Sequence, residues 1–396
     1  MELSLCMIVK NEELALPSCL SSVKGVVDEI VVLDTGSSDR TPEIAREFGA
    51  RVYDFKWCND FSKARNQSLK YVEANWVLVL DADEALVPEI IPTFKKAIKR
   101  DRYLVINLVR QEVGAAQSPY SLVSRLFRNH PDIYFSRPYH ALIDDSVSLI
   151  LSQESQWQVG YLPEVAILHT GYQKSAIAQG NKFDKAQAAM EGFLASHPTD
   201  PYVCSKLGAL YVQTGLVVRG IELLERGLTS IAAMAQILYE LHYHLGIAYT
   251  RLKRLKKAIT HYEAAIQLAI YPMLKLGAYN NLGNLRRASG DLIGAKTCYE
   301  MALQIDPNFA AGHYNLGITL KTLGNFKDAI AAYQQAIVLN PTYAEAYQNL
   351  GVVLLKVGNA ADSLAAFGKA IALHEQQNLT AAAQLRQGLQ EMGFQF

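Results

Sequence analysis

Over roughly the first 175 residues, short apolar runs alternate with segments in which apolar residues recur three and four positions apart. Four of the runs have the length and β-branched content of buried strands. They read LSLCMIV, EIVVLD, RVYDF and WVLVLD. The intervening segments have the spacing of one helix face, and strands that alternate with helices form a parallel sheet. The pattern predicts an α/β domain over residues 1–175.

A different periodicity begins near residue 240, where the same landmarks return at a fixed interval. Leu-Gly pairs begin at 245, 282, 316 and 350, so the last two intervals are both 34 residues. An aromatic residue or a histidine stands three positions before each pair. Later in each unit a small residue precedes an aromatic one by four, as in Ala258/Tyr262, Ala295/Tyr299, Ala329/Tyr333 and Ser363/Phe367. This recurrence predicts a stack of antiparallel helix pairs.

The recurring units resemble the tetratricopeptide repeat, in which small residues let the two helices approach closely. A weaker unit starts near Pro201, where Gly220 and Leu224 replace the small and the aromatic residue. We therefore predict linker helices and a degenerate first repeat over 176–239, repeats over 240–375 and a C-terminal capping helix over 376–396. Stacked repeats form a concave groove that suits a protein or peptide partner.

Composition narrows the partners that the chain can have. Lysine plus arginine and aspartate plus glutamate number 38 each, so no net field draws the molecule to nucleic acid. The five cysteines are scattered without a Cys-x-x-Cys pair, which predicts reduced thiols in a cytoplasmic protein. No apolar run approaches the roughly 20 residues of a membrane-spanning helix. We expect no transmembrane segment, while contact with a membrane surface stays open.

Polar side chains follow three of the four predicted strands. The three sets are Lys10–Glu13, Asp34–Asp39 and Asp81–Glu84. The carboxyl ends of parallel strands meet at one edge of an open sheet, where such sheets bind ligands, so we expect the sets to line one crevice. A turn ahead of the next helix would explain the serines and Asp39, but it leaves Asp34 unexplained.

Three blocks carry a family resemblance: LCMIVKNEE, DEIVVLDTGSSDRTPEIAREFGARV and FSKARNQSLKYVEANWVLVLDADEAL. They resemble the inverting family 2 glycosyltransferases, most of all the branch with the bacterial lipopolysaccharide-core β-glucosyltransferases and the bacteriocin S-glycosyltransferases. The resemblance covers about residues 3–175 and implies a GT-A fold, a Rossmann-like mixed sheet, ahead of the α-solenoid of repeats. It also implies a hexosyltransferase-type enzyme that moves a sugar from a nucleotide-diphosphate donor, a UDP-sugar, to an acceptor.

The resemblance implies a metal site after the fourth strand. A diphosphate leaving group needs a cation to absorb its developing charge, and a hard divalent ion held by carboxylates meets that need. Asp83 would bind Mn²⁺ or Mg²⁺, and Asp81 would contact the donor ribose or reach the metal through water. The block AILHTGY resembles a His-x-Gly-Tyr block of the same branch, so His169 would complete the metal or diphosphate site, or else be a core histidine.

Donor-binding residues of the family also have counterparts in this chain. Asp34 would accept a hydrogen bond from the imide N–H of the nucleobase, and Val9 and Lys10 would flank the base. Arg65 and Asn66 match an Arg-Asn pair of the family. Arg65 would lie near the base or the phosphates, or alternatively form a surface salt bridge.

The segment VSRLFRNHPDIYFSRPYHALI resembles an Arg-x-Phe-Arg block that is followed by His-Glu. We expect its Arg125 and Arg128 to contact an anion or the acceptor. An inverting transfer needs a general base, but Ala141 stands where the family has the glutamate. The substitutes within reach along the sequence are His140, Asp144, Asp145 and Glu84.

Three functions compete. The preferred interpretation is a metal-dependent glycosyltransferase whose repeats recruit a protein partner or the acceptor. The missing glutamate instead allows an interaction scaffold with a decayed catalytic domain, although the intact Asp34, Asp81 and Asp83 argue against it. A nucleotidyltransferase would need a glycine-rich loop after the first strand, and KNEELALP contains no glycine.

Overall fold

The computed structural model describes residues 1–115, 119–170, 176–230 and 234–394, with the backbone alone for 176–182. The chain folds as two compact units. The first contains Met1–Ala115 and Pro119–Ile231, and the second contains Ala232–Phe396. The domain boundaries that the sequence predicts, after residues 175, 239 and 375, stay a prediction.

One eight-stranded mixed sheet organises the first unit. Its strands are β1 (Leu3–Val9), β2 (Glu29–Asp34), β3 (Arg51–Asp54), β4 (Trp76–Val79), β5 (Glu84–Leu86), β6 (Tyr103–Glu112), β7 (Tyr120–Arg128) and β8 (Gln158–His169). Their spatial order is β3-β2-β1-β4-β7-β6-β8-β5. β1 pairs in parallel with β2 and β4, and β2 with β3, whereas β7 runs antiparallel to β4 and β6. The predicted parallel strands and the mixed-sheet fold are confirmed.

Helices cover both faces of this sheet. They are α1 (Leu16–Ser22), α2 (Thr41–Glu47), α3 (Phe61–Leu69), α4 (Ile91–Ala97) and α5 (Asp144–Gln153). Three further helices follow the last strand in the same unit: α6 (Ala176–Ser196), α7 (Pro201–Gln213) and α8 (Val217–Leu228). Leu5 packs in an apolar cluster with Leu20 of α1, and the next residue, Cys6, packs in a second cluster with Val147 of α5. Because successive strand residues point to opposite faces, strands buried on both faces are continuous apolar runs.

The fourth strand is shorter than the sequence predicts, because β4 ends at Val79 rather than at Asp81. The Asp81 N–H donates to the Glu84 carboxylate at 2.9 Å, and the Glu84 N–H donates to the Asp81 carbonyl at 3.0 Å. Glu84 then begins β5, where it pairs with His169 of β8. The acidic set therefore forms a hydrogen-bonded turn between two strands and is not a free strand end.

The described part of the second unit is built from helix pairs. Its helices are α9 (Ala235–Arg251), α10 (Leu255–Gln267), α11 (Leu276–Ala288), α12 (Leu292–Ile305), α13 (Ala310–Thr322), α14 (Phe326–Leu339), α15 (Ala344–Lys356), α16 (Ala360–Gln377) and α17 (Leu379–Glu391). The predicted repeats are confirmed, and each contributes two of the helices from α9 to α16. The last helix, α17, packs its Leu389 in a cluster with Phe367 and Ile371 of α16.

The Leu-Gly pairs mark the closest approach of the two helices in a repeat. A Cβ atom added to Gly317 would lie 2.7 Å from the ring of Tyr333, and Gly283 faces Tyr299 at the same distance. Both tyrosines are fully buried. The glycine is therefore required because the aromatic side chain of the second helix lies directly on the backbone of the first.

Among the described residues, no helix is both long and apolar enough to cross a membrane. All five cysteines have free thiols. Four of these thiols are buried, and Cys58 is exposed.

We predict that Gly317→Ala lowers the free energy of unfolding by about 1–3 kcal/mol, because the added methyl group must displace the ring of Tyr333. The matched control is Gly388→Ala in α17, where a Cβ meets no atom within 4 Å and helix propensity favours alanine. Denaturant unfolding followed by circular dichroism measures both variants. Equal stability of the two would contradict the packing role of Gly317.

Candidate functional site

Asp81 lies between two arginines that come from different elements. Its Oδ1 accepts a hydrogen bond from Arg65 of α3 at 2.6 Å, and its Oδ2 accepts one from Arg125 of β7 at 2.9 Å. Burial raises the pKa of Asp81, but the charges of Arg125 and Arg65 outweigh burial and hold that pKa well below its usual range. The Arg65 side chain is only 8% exposed, so the alternative of a surface salt bridge is wrong.

A second chain of charges runs from Glu84 to His169. Arg110 of β6 lies 2.9 Å from the Glu84 carboxylate and 2.7 Å from that of Glu112. Glu112 in turn contacts the Nδ1 atom of His169. Glu84 is fully buried, and a buried carboxylate is tolerated only when it is paired. Arg110 therefore allows two carboxylates to lie inside this edge of the sheet.

His169 stands between Glu112 and the predicted metal ligand Asp83. Its Nε2 atom lies 3.5 Å from Asp83 Oδ2. Burial lowers the pKa of His169, but hydrogen bonds with Asp83 and Glu112 raise it more, to about 9. Glu112 fixes the ring so that Nε2 faces Asp83, an orientation that carboxylates commonly impose on metal-binding histidines. The next residues of the block, Gly171 and Tyr172, lie outside the described residues.

Asp34 orders the loop that follows its own strand. Its carboxylate accepts hydrogen bonds from the Gly36 N–H at 3.1 Å, the Ser37 N–H at 2.9 Å and the Ser37 hydroxyl at 2.5 Å. Asn11 joins this loop to the one after β1, because its N–H donates to Ser37 Oγ and its Oδ1 accepts from the Ser38 N–H. The first two polar sets are thus brought together, as the sequence predicts.

The other residues predicted to bind the donor have mixed surroundings. Val9 is buried and its carbonyl accepts two hydrogen bonds from Thr35, whereas Lys10 is exposed. The Asn66 amide donates to the Phe135 carbonyl at 2.9 Å and accepts from the Phe135 N–H at 2.7 Å. Asn66 therefore holds the backbone of a neighbouring segment, and its contact with a donor stays a prediction.

Arg128 lies at the opposite end of the strand from the acids. It pairs with Trp76 at the start of β4, and its guanidinium lies 4.7 Å from the centre of a Trp76 ring and 5.6 Å from that of Trp157. The structure thus places Arg128 away from the acids, and its expected contact with an anion or the acceptor stays a prediction. Because β7 runs antiparallel to β4, residues later in β7 lie farther from the carboxyl end of β4, where Arg125 meets Asp81.

The candidates for the general base differ in their contacts. Glu84 is bonded to an arginine and to the Asp81 N–H, and Asp145 is held in an ion pair at 2.5 Å. His140 is exposed and has a left-handed backbone, with φ 51°. Asp144 accepts a hydrogen bond at Oδ1, its buried Oδ2 has no partner within the described part of the chain, and burial raises its pKa.

Arg137 fixes the loop before α5 in a way that the sequence did not predict. It lies 2.5 Å from Asp145 and 2.9 Å from Asp200, the residue before α7. The Tyr202 hydroxyl of α7 donates to the His140 carbonyl at 3.2 Å. Arg137 and His140 both have left-handed backbones, which cost about 1–2 kcal/mol each and persist only when their surroundings hold them. A helix predicted to belong to the degenerate repeat thus supports the candidate site.

Three metal-capable side chains also converge elsewhere, with ligand atoms within 4.8 Å of one another: His130, Asp132 and Glu154. The Asp132 N–H donates to His130 Nδ1 at 3.2 Å, and the Trp157 indole donates to Glu154 at 2.9 Å. His130 and Glu154 thus each accept a hydrogen bond from a neighbouring group.

The chain matches several known proteins. Residues 4–160 match the glycosyl transferase family 2 model, and 239–270, 283–324, 320–358 and 344–376 match tetratricopeptide repeat models. A TPR repeat-containing protein of Synechococcus elongatus is 44% identical over 74% of this chain and 72% of its own length. The glycosyltransferase SunS of Bacillus subtilis is 27% identical over 49% of this chain, but the match spans only 45% of SunS.

Among solved structures, that of YrrB, a TPR protein with an unusual peptide-binding site, aligns with 50% of this chain and 98% of its own. The TM-score of this alignment is 0.42 and the sequence identity is 18%.

We predict that Arg137→Ala lowers the free energy of unfolding by about 1–3 kcal/mol, because Asp145 and the mostly buried Asp200 lose a charged partner. Arg40→Ala is the control, since Arg40 and its partner Glu47 are both well exposed and should contribute nothing measurable. Thermal unfolding compares the two variants. If the two variants unfold at the same temperature, Arg137 does not stabilise the loop.

Proposed function

The chain belongs to the TPR repeat-containing proteins with an N-terminal glycosyl transferase family 2 domain, and we propose that it is an inverting glycosyltransferase. Its first unit would move a sugar from a nucleotide-diphosphate donor, such as a UDP-sugar, to an acceptor. The observation that carries this proposal is the turn after β4, which places Asp83 beside His169 and Asp81 between Arg65 and Arg125.

Asp83 and His169 would hold the divalent cation, Mn²⁺ or Mg²⁺. The donor set fits a cation, because an oxygen and a nitrogen ligand face each other and Glu112 fixes the imidazole from behind. Because the neighbouring carboxylates raise the pKa of His169 to about 9, a bound cation would replace the proton on Nε2, and the same carboxylates create the negative potential that attracts a cation. When bound, such an ion would neutralise charge on the leaving diphosphate.

The arginines around Asp81 would bind the diphosphate itself. Two guanidinium groups face the Asp81 carboxylate. The Nη1 atom of Arg125 is buried and, within the described residues, has no hydrogen-bond partner. Guanidinium forks match phosphate oxygens well, so this N–H group is suited to a donor phosphate. Asp81 keeps lone pairs for a ribose hydroxyl or a metal-bound water.

The loops that follow β1 and β2 would recognise the nucleobase. Asp34 accepts three hydrogen bonds within its loop, and a carboxylate offers about four acceptor sites, so one stays available for an imide N–H. Because those bonds fix the carboxylate, it needs no reordering when a base binds. Val9 and Lys10 would flank the base, and Asn66 would support the site through Phe135.

We propose Asp144 as the general base in place of the family glutamate. A base needs an unengaged oxygen and a pKa raised toward neutrality, and Asp144 has both. The surroundings of Glu84 and Asp145 favour structural roles. His140 remains the second candidate, since Tyr202 fixes its backbone.

The repeats of the second unit would bind a protein or peptide partner, or the acceptor itself. A scaffold with a decayed transferase domain is the main alternative, and the loss of the family glutamate at Ala141 favours it. The nucleotidyltransferase alternative gains no support, because the loop from Lys10 to Glu13 contains no glycine. A cytoplasmic location also stays a prediction.

We predict that Asp83→Ala reduces nucleotide release from the preferred nucleotide sugar by at least about a hundredfold in the presence of Mn²⁺, because the cation loses a charged ligand. Asp101→Ala is the control, since the Asp101 side chain is fully exposed on the same unit. A nucleotide-release assay across a panel of nucleotide sugars makes the measurement. Equal rates for the two variants would exclude Asp83 as a ligand, and no release by the parent would favour the scaffold.

We predict that Asp144→Asn lowers nucleotide release, with water as the acceptor, by about a hundredfold or more and leaves the KM for the donor nearly unchanged. Because burial raises the pKa of Asp144, the rate of the parent should fall as the pH falls through that pKa. Asp132→Asn, at an exposed carboxylate, is the control. An unchanged rate in Asp144→Asn would exclude Asp144 as the general base and would favour His140.

A further inference from the structure

Three aromatic side chains of the first unit, Trp57, Phe61 and Tyr139, form a chain of ring contacts that we call the aromatic shelf. The Trp57 and Phe61 ring centres lie 4.8 Å apart, and those of Phe61 and Tyr139 lie 5.4 Å apart, both edge to face. The Tyr139 ring also meets the ring of His140 at 4.6 Å. All three members are partly exposed, so the shelf is a contiguous aromatic surface that solvent reaches.

The aromatic shelf is separate from the apolar interior of the sheet. Among the described residues, the clusters that pack around Leu5 and Cys6 do not contain any of its three rings. Phe127 and Phe135, whose rings also meet edge to face, both belong to the second cluster. Single exposed apolar side chains are ordinary, whereas contiguous aromatic surface beside polar groups is typical of a ligand site. Core packing therefore does not account for the shelf.

Hydrogen bonds hold the aromatic shelf in place. The Phe61 N–H donates to the Pro138 carbonyl at 2.9 Å, which joins the start of α3 to the segment that carries Tyr139. The Trp57 indole donates to Asn59 Oδ1 at 2.9 Å. The rings are thus positioned before a ligand arrives, so little side-chain entropy would be lost when one binds.

The aromatic shelf adjoins the proposed donor site. Phe61 lies four residues before Arg65, so the two side chains lie on the same face of α3, and Arg65 donates to Asp81 at 2.6 Å. Burial raises the pKa of Tyr139, and the negative charge of Asp81 raises it further, which agrees with this placement. His140, a candidate for the general base, contacts the Tyr139 ring. A molecule on the shelf would therefore lie beside both the leaving group and a candidate base, which is the position of an acceptor.

We propose that the acceptor is a saccharide and that one of its rings stacks on Trp57, Phe61 and Tyr139. This inference rests on the proposed glycosyltransferase function and names the class of acceptor. The C–H groups on one face of a sugar ring are apolar and positively polarised, so they match the negative face of an aromatic ring. An acceptor hydroxyl oxygen would form the new bond to the anomeric carbon of the donor sugar. The nucleoside diphosphate would leave with the electron pair of the broken C–O bond, and the hydroxyl proton would pass to the base.

A saccharide fits the aromatic shelf better than a lipid or a peptide thiol does. A lipid tail needs an extended apolar surface, but the exposed Lys56 and Asn59 border Trp57. A thiol reacts without an aromatic surface beside it, whereas one sugar hydroxyl has to be selected from several, which requires that the sugar ring be held in a fixed orientation. The Asn59 amide and the Tyr139 hydroxyl both donate and accept, so they suit the hydroxyl groups at the edge of that ring.

The test uses the full chain, the nucleotide sugar that gives the fastest nucleotide release, a panel of methyl glycosides and disaccharides of the common hexoses, and a cysteine-containing peptide. Mass spectrometry measures the glycosylated products. We expect a saccharide of the panel to be the better acceptor, with Trp57→Leu and Tyr139→Leu each raising its KM at least about tenfold. Trp57→Phe keeps an aromatic face and should keep the KM within about threefold. Trp157→Leu is the matched control, since this partly exposed tryptophan lies beside Arg128, and should leave the KM unchanged.

Three results would overturn the inference: nucleotide release by the parent without transfer to any saccharide, preferential glycosylation of the peptide, or equal KM changes in Trp57→Leu and Trp157→Leu. Thermal melting verifies that each variant is folded, and Tyr139→Leu decides if Trp57→Leu does not fold. Nucleotide release to water without sugar transfer defeats this inference alone. Absent release in the parent, with every nucleotide sugar, defeats the proposed enzyme.

Discussion

The candidate site depends on pairing several carboxylates with arginines at one edge of a buried sheet. Asp81, Glu84 and Glu112 lie close together, and burying them unpaired would cost several kcal/mol each. Arg65, Arg110 and Arg125 remove that cost, and they come from a helix and two later strands. The turn after β4 can therefore be rigid, and its rigidity places Asp83 against His169.

Because of this pairing, the acids of the site have different partners. Glu84 and Glu112 are engaged by Arg110, so their role is to hold the turn and the His169 ring. Asp81 is paired with two cations, Arg65 and Arg125. Asp83 contacts His169, and it is the acid that we propose as the metal ligand. Under the proposed function, the same motif would contain structural, donor-facing and metal-facing carboxylates.

The second unit follows a different constraint, which is the close contact of helices within each repeat. Glycine in the first helix admits the aromatic ring of the second, and this contact recurs with the sequence period. Because each repeat meets only its neighbours, its exposed side chains can vary without disturbing that packing.

The sequence by itself determined the features that depend on local periodicity. Apolar runs located β1 to β4, the Leu-Gly spacing located the repeats, and the motif blocks brought Asp34, Asp81 and Asp83 to one sheet edge. Only the tertiary structure decided which groups pair, because the partners are distant in sequence: Arg125 reaches Asp81, Arg110 reaches Glu84, and His169 reaches Asp83. The end of β4 at Val79 and the remote position of Arg128 were missed for the same reason, since strand register is set by neighbours that no local pattern encodes.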